Sequence, residues 1–128
     1  MGNAVGTAYY MSPEVINGCY TKSCDIWSIG IVTYILLAGY PPFNGSNDDE
    51  IYNSTRRCNL IFERKVWGGL SHMSRDFVRR LLSKDASLRS TAEEALQLFL
   101  KKREKMMMMF ISCTVLYIYL FRVSVNDV

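Results

Sequence analysis

The segment "DIWSIGIVTYILLAGYPPF", from Asp25 to Phe43, decides the fold of this chain. From Ile26 to Ala38 nearly every residue is apolar, and no polar face recurs at helical spacing. Gly39, Pro41 and Pro42 then supply a stop signal. A helix that is apolar all round is buried, and about 13 residues are too few to cross a bilayer, which takes about 20. The segment therefore predicts the central helix of a soluble core.

Composition limits the chain to one domain and argues against two classes of function. Its 128 residues are 49% hydrophobic, which is enough to fill one core. The net charge of +3 comes with no basic face interleaved with aromatic residues, so no nucleic-acid partner is expected. The four cysteines form no CxxC pair, and His72 has no ligand partner at metal-binding spacing. We therefore expect no metal site, reduced thiols and a surface position for His72.

Capping signals predict a short helix before the central one and a surface helix after it. Ser12 is the expected N-cap before Pro13, which suits a first helical turn, and Gly18 suits the end of the short helix. Asn47 and Glu50 stand at the spacing of a capping box, with acidic residues crowding the first turn. That second pattern predicts a helix exposed to solvent.

Two more helices are predicted after a loop at residues 67–69. The segment "SRDFVRRLLSKD" (74–85) is amphipathic. Its apolar face comprises Phe77, Val78, Leu81 and Leu82, and its basic face comprises Arg75, Arg79 and Arg80. Thr91 and Glu94 open another capping box, whose helix runs into Lys101. Few alternating strand segments occur before residue 100, so the body is predicted to be mostly helical.

Four aromatic residues allow two interpretations. Tyr9, Tyr10, Trp27 and Trp67 could form a stacking platform for a ligand or could pack in the core. They are separated in sequence and embedded among apolar neighbours, which favours core packing.

Four motifs follow one another in a specific order between Gly6 and Thr91. They are Gly-Thr-x-x-Tyr-x-Ser-Pro-Glu, Asp-x-Trp-Ser-x-Gly, Gly-Tyr-Pro-Pro-Phe and Asp-x-x-x-Arg-x-Thr. The series resembles the C-terminal lobe of eukaryotic protein kinases, and Thr7 matches the Ser/Thr kinases. "GTAYY", "YILLAGYPPF" and "TAEEAL" resemble the calcium/calmodulin-dependent and calcium-dependent group. No EF-hand loop occurs, so no calcium site is predicted. The resemblance implies a mainly α-helical, truncated C-lobe with no N-lobe.

The resemblance also implies roles for individual residues. Gly6, Thr7 and Tyr10 would belong to the loop that receives the peptide substrate. Glu14 and Arg89 would form a buried ion pair, although two solvated charges remain the alternative. Asp25 is either the N-cap of the apolar helix or a brace for the catalytic loop of a complete kinase, and the two interpretations carry equal weight. The residues with an implied structural role are Ser12, Pro13, Glu14, Asp25, Trp27, Gly30 and Arg89.

The machinery of phosphoryl transfer does not occur in these 128 residues. Kinases use a Gly-rich loop, a strand lysine, a catalytic-loop Asp and Asn, and the D-F-G Asp to hold ATP and magnesium. We therefore expect residues 1–100 to be a partial kinase domain without catalytic, cofactor-binding or metal residues. ATP and Mg²⁺ are expected only for a full-length relative. The alternatives are a non-catalytic interaction module and a gene-model fragment without independent function.

Residues 101–128 differ in character from the rest. The basic cluster "KKREK" precedes an uncharged apolar run at 106–121. That run is a membrane segment, a segment packed on the lobe, or an artefact of translation past the true exon. The corresponding localisation is cytoplasmic, or membrane-associated through 106–121.

Partners and solubility follow from the implied lobe surface. A protein substrate or a regulatory protein is expected to bind the C-lobe surface, with the helix at 47–57 as a docking site. In a complete lobe other elements cover the central helix, so its residues Ile29, Val32, Ile35 and Leu36 are expected to be exposed here. Such patches promote aggregation, and the chain is predicted to be poorly soluble alone.

Overall fold

The computed structural model describes residues 7–101, with side chains placed for residues 8–98. This range is helical and contains no strand. Its helices are α1 (Thr7–Tyr10), α2 (Pro13–Ile16), α3 (Ser23–Ala38), α4 (Asp48–Arg57), α5 (Arg64–Trp67), α6 (His72–Leu81) and α7 (Ala92–Lys101). The prediction of a mainly α-helical lobe is therefore confirmed for the described residues.

The central helix α3 begins earlier than its apolar run. The backbone N–H groups of Cys24 and Asp25 bond to the carbonyls of Thr21 and Lys22, which winds a tight turn ahead of Ile26. Asp25 thus lies in the first turn, not at the N-cap, and the N-cap interpretation of Asp25 is wrong. At the other end Gly39 adopts a left-handed conformation with φ 85°, so the predicted stop is confirmed.

A cluster of aromatic side chains fills the main core around α3. Trp27 stacks on Phe43 with ring centroids 5.6 Å apart. Tyr34 lies 5.0 Å from Trp67, and its hydroxyl donates a 2.6 Å hydrogen bond to the carbonyl of Ile61. Trp27 and Trp67 are fully buried, which confirms core packing for both tryptophans.

A second, smaller core joins α3 to α6 and α7. Ile26, Ile29 and Leu81 form its centre, with Phe77, Ala92 and Ala95 packed against them. Gly30 makes this approach close, because a Cβ there would lie 2.7 Å from Leu82 Cδ2 and 2.9 Å from Leu81 Cβ. Any side chain at position 30 would force α6 away from α3.

The apolar surface of α3 is only partly covered. Leu36 is 50% exposed, and Val32 and Ile35 are half-buried, so α3 is not buried all round as predicted. Ile29, however, is buried at 9% exposure beneath the second core. The expected exposure of Ile29 is therefore wrong, because α6 and α7 cover the N-terminal half of α3.

Helix α4 is the predicted surface helix, with one difference at its cap. The side chain of Asn47 accepts a 3.0 Å hydrogen bond from the Glu50 N–H. The Glu50 carboxylate returns to Ser46 instead of Asn47, and accepts from the Ser46 N–H and hydroxyl at 2.7 and 2.8 Å. Only Ile51 and Thr55 of α4 are buried.

The chain after α4 departs from prediction in two places. Trp67, the first residue of the expected loop at 67–69, is instead the last residue of a four-residue helix, α5. Helix α6 starts at His72 with Ser71 as N-cap, two residues before the quoted amphipathic segment, and His72 is exposed as predicted. The Thr91 hydroxyl caps α7 by accepting from the Glu94 N–H at 3.1 Å.

Within residues 7–101 no helix has the length and apolar character needed to cross a bilayer. The apolar run at 106–121 lies outside the described residues.

Candidate functional site

The segment implied to receive a peptide substrate lies between α3 and α4. Gly6 falls outside the described residues, and Thr7 is the first residue of α1. The Tyr9 hydroxyl donates to Asn44 Oδ1 at 3.2 Å, in the loop before α4. The Ser28 hydroxyl of α3 donates to the carbonyl of Tyr10 at 3.1 Å. These two bonds tie α1 to α3 and to the loop before α4.

Tyr10 does not belong to the core. Its side chain is 39% exposed, whereas Ala8 on the same helix is buried and Tyr9 is half-buried. The expected core packing of Tyr10 is therefore wrong: in this short helix Ala8 takes the inward position. An exposed Tyr10 is available for contact with another molecule.

Glu14 and Arg89 form the ion pair that the resemblance implied. The Arg89 guanidinium donates Nη1–H to Glu14 Oε1 at 2.6 Å and Nη2–H to Glu14 Oε2 at 3.0 Å, across 75 residues of sequence. This is a bidentate geometry, which a lysine cannot reproduce. The Arg89 side chain has no exposure and that of Glu14 has 14%, so the alternative of two solvated charges is excluded.

Arg89 also satisfies two backbone carbonyls. Its Nε–H donates to Ser83 O at 3.0 Å, after α6, and Nη1–H donates to Ser23 O at 2.9 Å, at the start of α3. The guanidinium carbon lies 5.0 Å from the ring centroid of Trp27. One side chain therefore joins α2, α3 and the turn between α6 and α7. We refer to Glu14, Arg89 and their carbonyl partners at Ser23 and Ser83 as the polar anchor.

A local turn presents Arg89 to its partners. The Asp85 carboxylate accepts from the N–H and hydroxyl of Ser87 at 2.9 and 2.7 Å, in an Asx-type turn. The Arg89 N–H then bonds to Asp85 O and the Ser90 N–H to Arg80 O. The hydrogen bonds from Ser87 lower the pKa of Asp85. The Asp-x-x-x-Arg spacing thus has a structural cause in this turn.

Opposing effects set the pKa of Glu14. Burial raises the pKa of this carboxyl, whereas the hydrogen bonds and charge of Arg89, with a backbone hydrogen bond, lower it. The lowering effects prevail, so the pKa of Glu14 lies below its ordinary value of 4.5. Glu14 is therefore ionised at neutral pH.

The other residues with an implied structural role lie around the polar anchor. Ser12 and Pro13 are buried at the start of α2. Ser12 occupies the N-cap position of α2 without a side-chain cap bond. Trp27 Nε1 is buried without a hydrogen-bond partner in the described part of the chain. Gly30 lies one turn beyond Trp27 at the contact with α6.

Three further contacts were not found by sequence reasoning. Asn44 binds Tyr9, Arg75 donates to Trp67 O at 2.8 Å, and the Arg79 guanidinium lies 4.7 Å from the centroid of Phe62. The amphipathic pattern of α6 predicted only that both arginines face away from the core. Nothing in the sequence indicates which loop they contact.

The described residues contain no group of side chains suited to bind a metal ion. Their chemistry is that of a scaffold: an ion pair and short hydrogen bonds hold α1 and α2 in one position.

Comparisons with known proteins agree with this architecture. The model of the protein kinase domain family matches residues 1–99. Calcium-dependent protein kinase 3 of Plasmodium berghei is 41% identical over 97 residues, covering 76% of this chain and 18% of that protein. CDPK-related kinase 4 of Arabidopsis thaliana is 44% identical over 96 residues, covering 75% of this chain and 16% of that protein. Myosin light chain kinase A of Dictyostelium discoideum is 45% identical over 97 residues, covering 75% of this chain and 33% of that protein.

A solved structure gives the same result. The twitchin kinase region from C. elegans superposes with a TM-score of 0.73 at 35% identity, over 80% of this chain and 18% of that one. The chain spans only 16% to 33% of the length of the curated relatives named above. The chain belongs to the protein kinase family, as a helical part of its C-terminal lobe, and resembles the calcium-dependent group within it.

Proposed function

We propose that this chain supplies the peptide-substrate side of a Ser/Thr protein kinase. The observation that supports the proposal is the polar anchor, in which the 2.6 and 3.0 Å bonds of Arg89 fasten the segment after Tyr10 to the core. In the complete enzyme, Gly6, Thr7 and Tyr10 would help to orient the Ser or Thr hydroxyl that attacks the γ-phosphoryl group of ATP. Phosphoryl transfer depends mainly on such positioning and on electrostatic stabilisation.

In this proposal, ATP and magnesium are bound by the part of a full-length kinase that lies outside these 128 residues. The sequence contains no Gly-rich loop, catalytic-loop H-R-D or D-F-G motif. We therefore expect the 128-residue chain alone to transfer no phosphate. Its own contribution is to hold α1 between α3 and α4, which fixes the position of an incoming peptide.

A chimeric kinase tests this proposal. The part of calcium-dependent protein kinase 3 that precedes the residue aligned with Gly6 would be joined to this chain. We expect the chimera to phosphorylate a Ser or Thr peptide and to leave the matched Tyr peptide unmodified. Glu14→Ala should lower kcat/KM at least tenfold by releasing α2, whereas the exposed Glu93→Ala serves as the control.

Two results would contradict the proposal. A folded chimera without activity would show that this chain cannot complete a kinase. The purified 128-residue chain would also contradict it by phosphorylating a peptide with ATP when active-site inhibitors of the parent kinase have no effect. That result would point to chemistry outside the kinase mechanism.

A non-catalytic interaction module is the second candidate. Its support is α4, a helix that buries only Ile51 and Thr55 and leaves charged residues at both ends in solvent. A substrate or regulatory protein would dock on α4 in the cytoplasm, with membrane association through 106–121 as an additional element. Binding of a kinase substrate that persists without ATP and is lost on Asp49→Lys would favour this function.

A further inference from the structure

Four cations lie on α5 and α6, and none of them takes part in the polar anchor. Arg64 and Lys65 are exposed on α5, and Arg79 is exposed on α6 one turn after the half-buried Arg75. The contacts of the two α6 arginines bring them to α5 and its flanking loop, because Arg75 binds Trp67 O and Arg79 stacks on Phe62. Arg75 and Arg79 therefore lie beside the segment 62–67, which carries Arg64 and Lys65, and we call these four cations the basic face.

The basic face is not neutralised by its own neighbours. The ion pairs found in the described range are Arg80–Asp76 and Arg89–Glu14, and neither uses a cation of the basic face. Glu63 is the acidic residue next to Arg64 in sequence, and it forms no ion pair there. The face thus keeps an excess of positive charge that a partner can neutralise.

An exposed apolar side chain belongs to the loop that leads into α5. Ile61 is 57% exposed, although its carbonyl is fixed by the Tyr34 hydroxyl at 2.6 Å. The backbone that carries it is therefore held against the core while its side chain stays in solvent. An exposed apolar residue on a fixed backbone, one residue before Phe62 and three before Arg64, fits a partner that combines carboxylates with an apolar side chain.

The two arginines are preorganised for carboxylates in particular. Stacking on Phe62 at 4.7 Å restricts the Arg79 guanidinium, and the 2.8 Å bond to Trp67 O restricts that of Arg75. A planar fork held in one orientation recognises a carboxylate through two parallel hydrogen bonds. Attraction to an anionic lipid surface needs charge alone and gains little from such orientation, so a protein partner is favoured.

We propose that the basic face binds an acidic peptide segment that carries an apolar residue. The carboxylates pair with Arg75 and Arg79, and the apolar residue covers Ile61. This surface is separate from the segment that receives the phosphorylatable peptide and from α4, so the inference does not depend on the proposed function. It adds a docking site for a regulatory or substrate protein.

Fluorescence anisotropy of the full 128-residue chain tests the proposal. The probe is a fluorescein-labelled peptide with glutamates on both sides of a central leucine, and the same peptide with glutamines is its control. We expect the glutamate peptide to bind and the glutamine peptide to bind at least tenfold more weakly. Arg79→Glu should weaken binding about tenfold, and raising the salt concentration should weaken it further.

Matched variants separate the basic face from general charge effects. Lys65→Glu changes an exposed residue with no contact in the core, so it reports on binding if Arg79→Glu misfolds. It should weaken binding about threefold. Lys22→Glu makes the same charge change at the N-terminus of α3 and should leave the affinity unchanged.

Other outcomes overturn the proposal. Equal binding of both peptides, or equal losses in Lys65→Glu and Lys22→Glu, would mean that no specific face is used. Flotation with vesicles containing phosphatidylserine, lost on Arg79→Glu and unaccompanied by binding of the glutamate peptide, would assign the basic face to a membrane.

Discussion

The two ends of helix α3 are held by different kinds of interaction. At the N-terminal end, Arg89 joins Ser23 O to the Glu14 carboxylate through hydrogen bonds of 2.6 to 3.0 Å. At the C-terminal end, Tyr34 packs among aromatic rings whose centroids lie 5.0 to 6.0 Å away. Both ends have apolar contacts, but the first end also depends on a few buried charged atoms, whereas the second depends on a large shared aromatic area. Single substitutions should therefore be much more damaging at the first end.

Arg89→Ala should have the largest effect. It leaves the Glu14 carboxylate without its partner and two carbonyls without their donor, which typically costs about 3–5 kcal/mol of unfolding free energy. Urea unfolding followed by circular dichroism measures the loss. Arg89→Lys keeps the positive charge but not the planar guanidinium, and should recover less than about half of the lost unfolding free energy. A loss below about 1 kcal/mol for Arg89→Ala would mean that the polar anchor does not hold α3.

Acid should weaken the same end selectively. The pKa of Glu14 is lowered in the folded state. Its contribution to the free energy of unfolding is therefore complete above the ordinary pKa of 4.5 and is lost as pH falls through the folded-state pKa. Unfolding free energies measured from about pH 7 to about pH 3 should fall more steeply for the natural chain than for Glu14→Gln. Identical slopes would contradict the account, since all other acidic residues are shared by the two proteins.

At the aromatic end of α3, Tyr34→Phe should lower the free energy of unfolding by only about 1 kcal/mol. The substitution removes the 2.6 Å bond to Ile61 O and leaves the ring packing intact. Tyr52→Phe is the matched control, because Tyr52 is half-buried on α4 and takes no part in the aromatic cluster around Tyr34. Its effect should stay within about 0.5 kcal/mol. If Tyr34→Phe were as damaging as Arg89→Ala, the contrast between the two ends would disappear.

Tyr9→Phe should have the smallest effect on stability. The Tyr9–Asn44 hydrogen bond of 3.2 Å is exposed, so water can replace either partner at a cost of less than about 0.5 kcal/mol. In the chimeric kinase the same substitution should raise KM for the peptide, because α1 loses its link to the loop before α4. An unchanged KM would remove the positioning role of this bond.

The sequence was sufficient to predict the long helices and their order. The apolar run and Gly39 predicted α3, and the caps at Asn47 and Thr91 predicted α4 and α7. The four-residue helices α1 and α5 were missed, because one turn carries no periodicity that a pattern can reveal. The early start of α3 was missed because no capping side chain marks it.

The candidate functional site could be predicted only in part, because its main contacts join residues that are far apart in sequence. Glu14 and Arg89 are 75 residues apart, and only the resemblance to kinases brought them together before the structure did. The contacts of Arg75 and Arg79 depend on where Phe62 and Trp67 lie beside α6, which no local pattern encodes. Long-range polar contacts are thus the information that sequence patterns lack.

A double-mutant cycle between Glu14 and Arg89 tests the central claim most directly. Unfolding free energies would be measured for the natural chain, Glu14→Ala, Arg89→Ala and the double variant. If the polar anchor holds segment 7–16 to the core, the two substitutions should couple by about 2 kcal/mol, with the double variant little worse than Arg89→Ala. A coupling energy within about 0.5 kcal/mol of zero would mean that the two residues act independently, and would contradict the account.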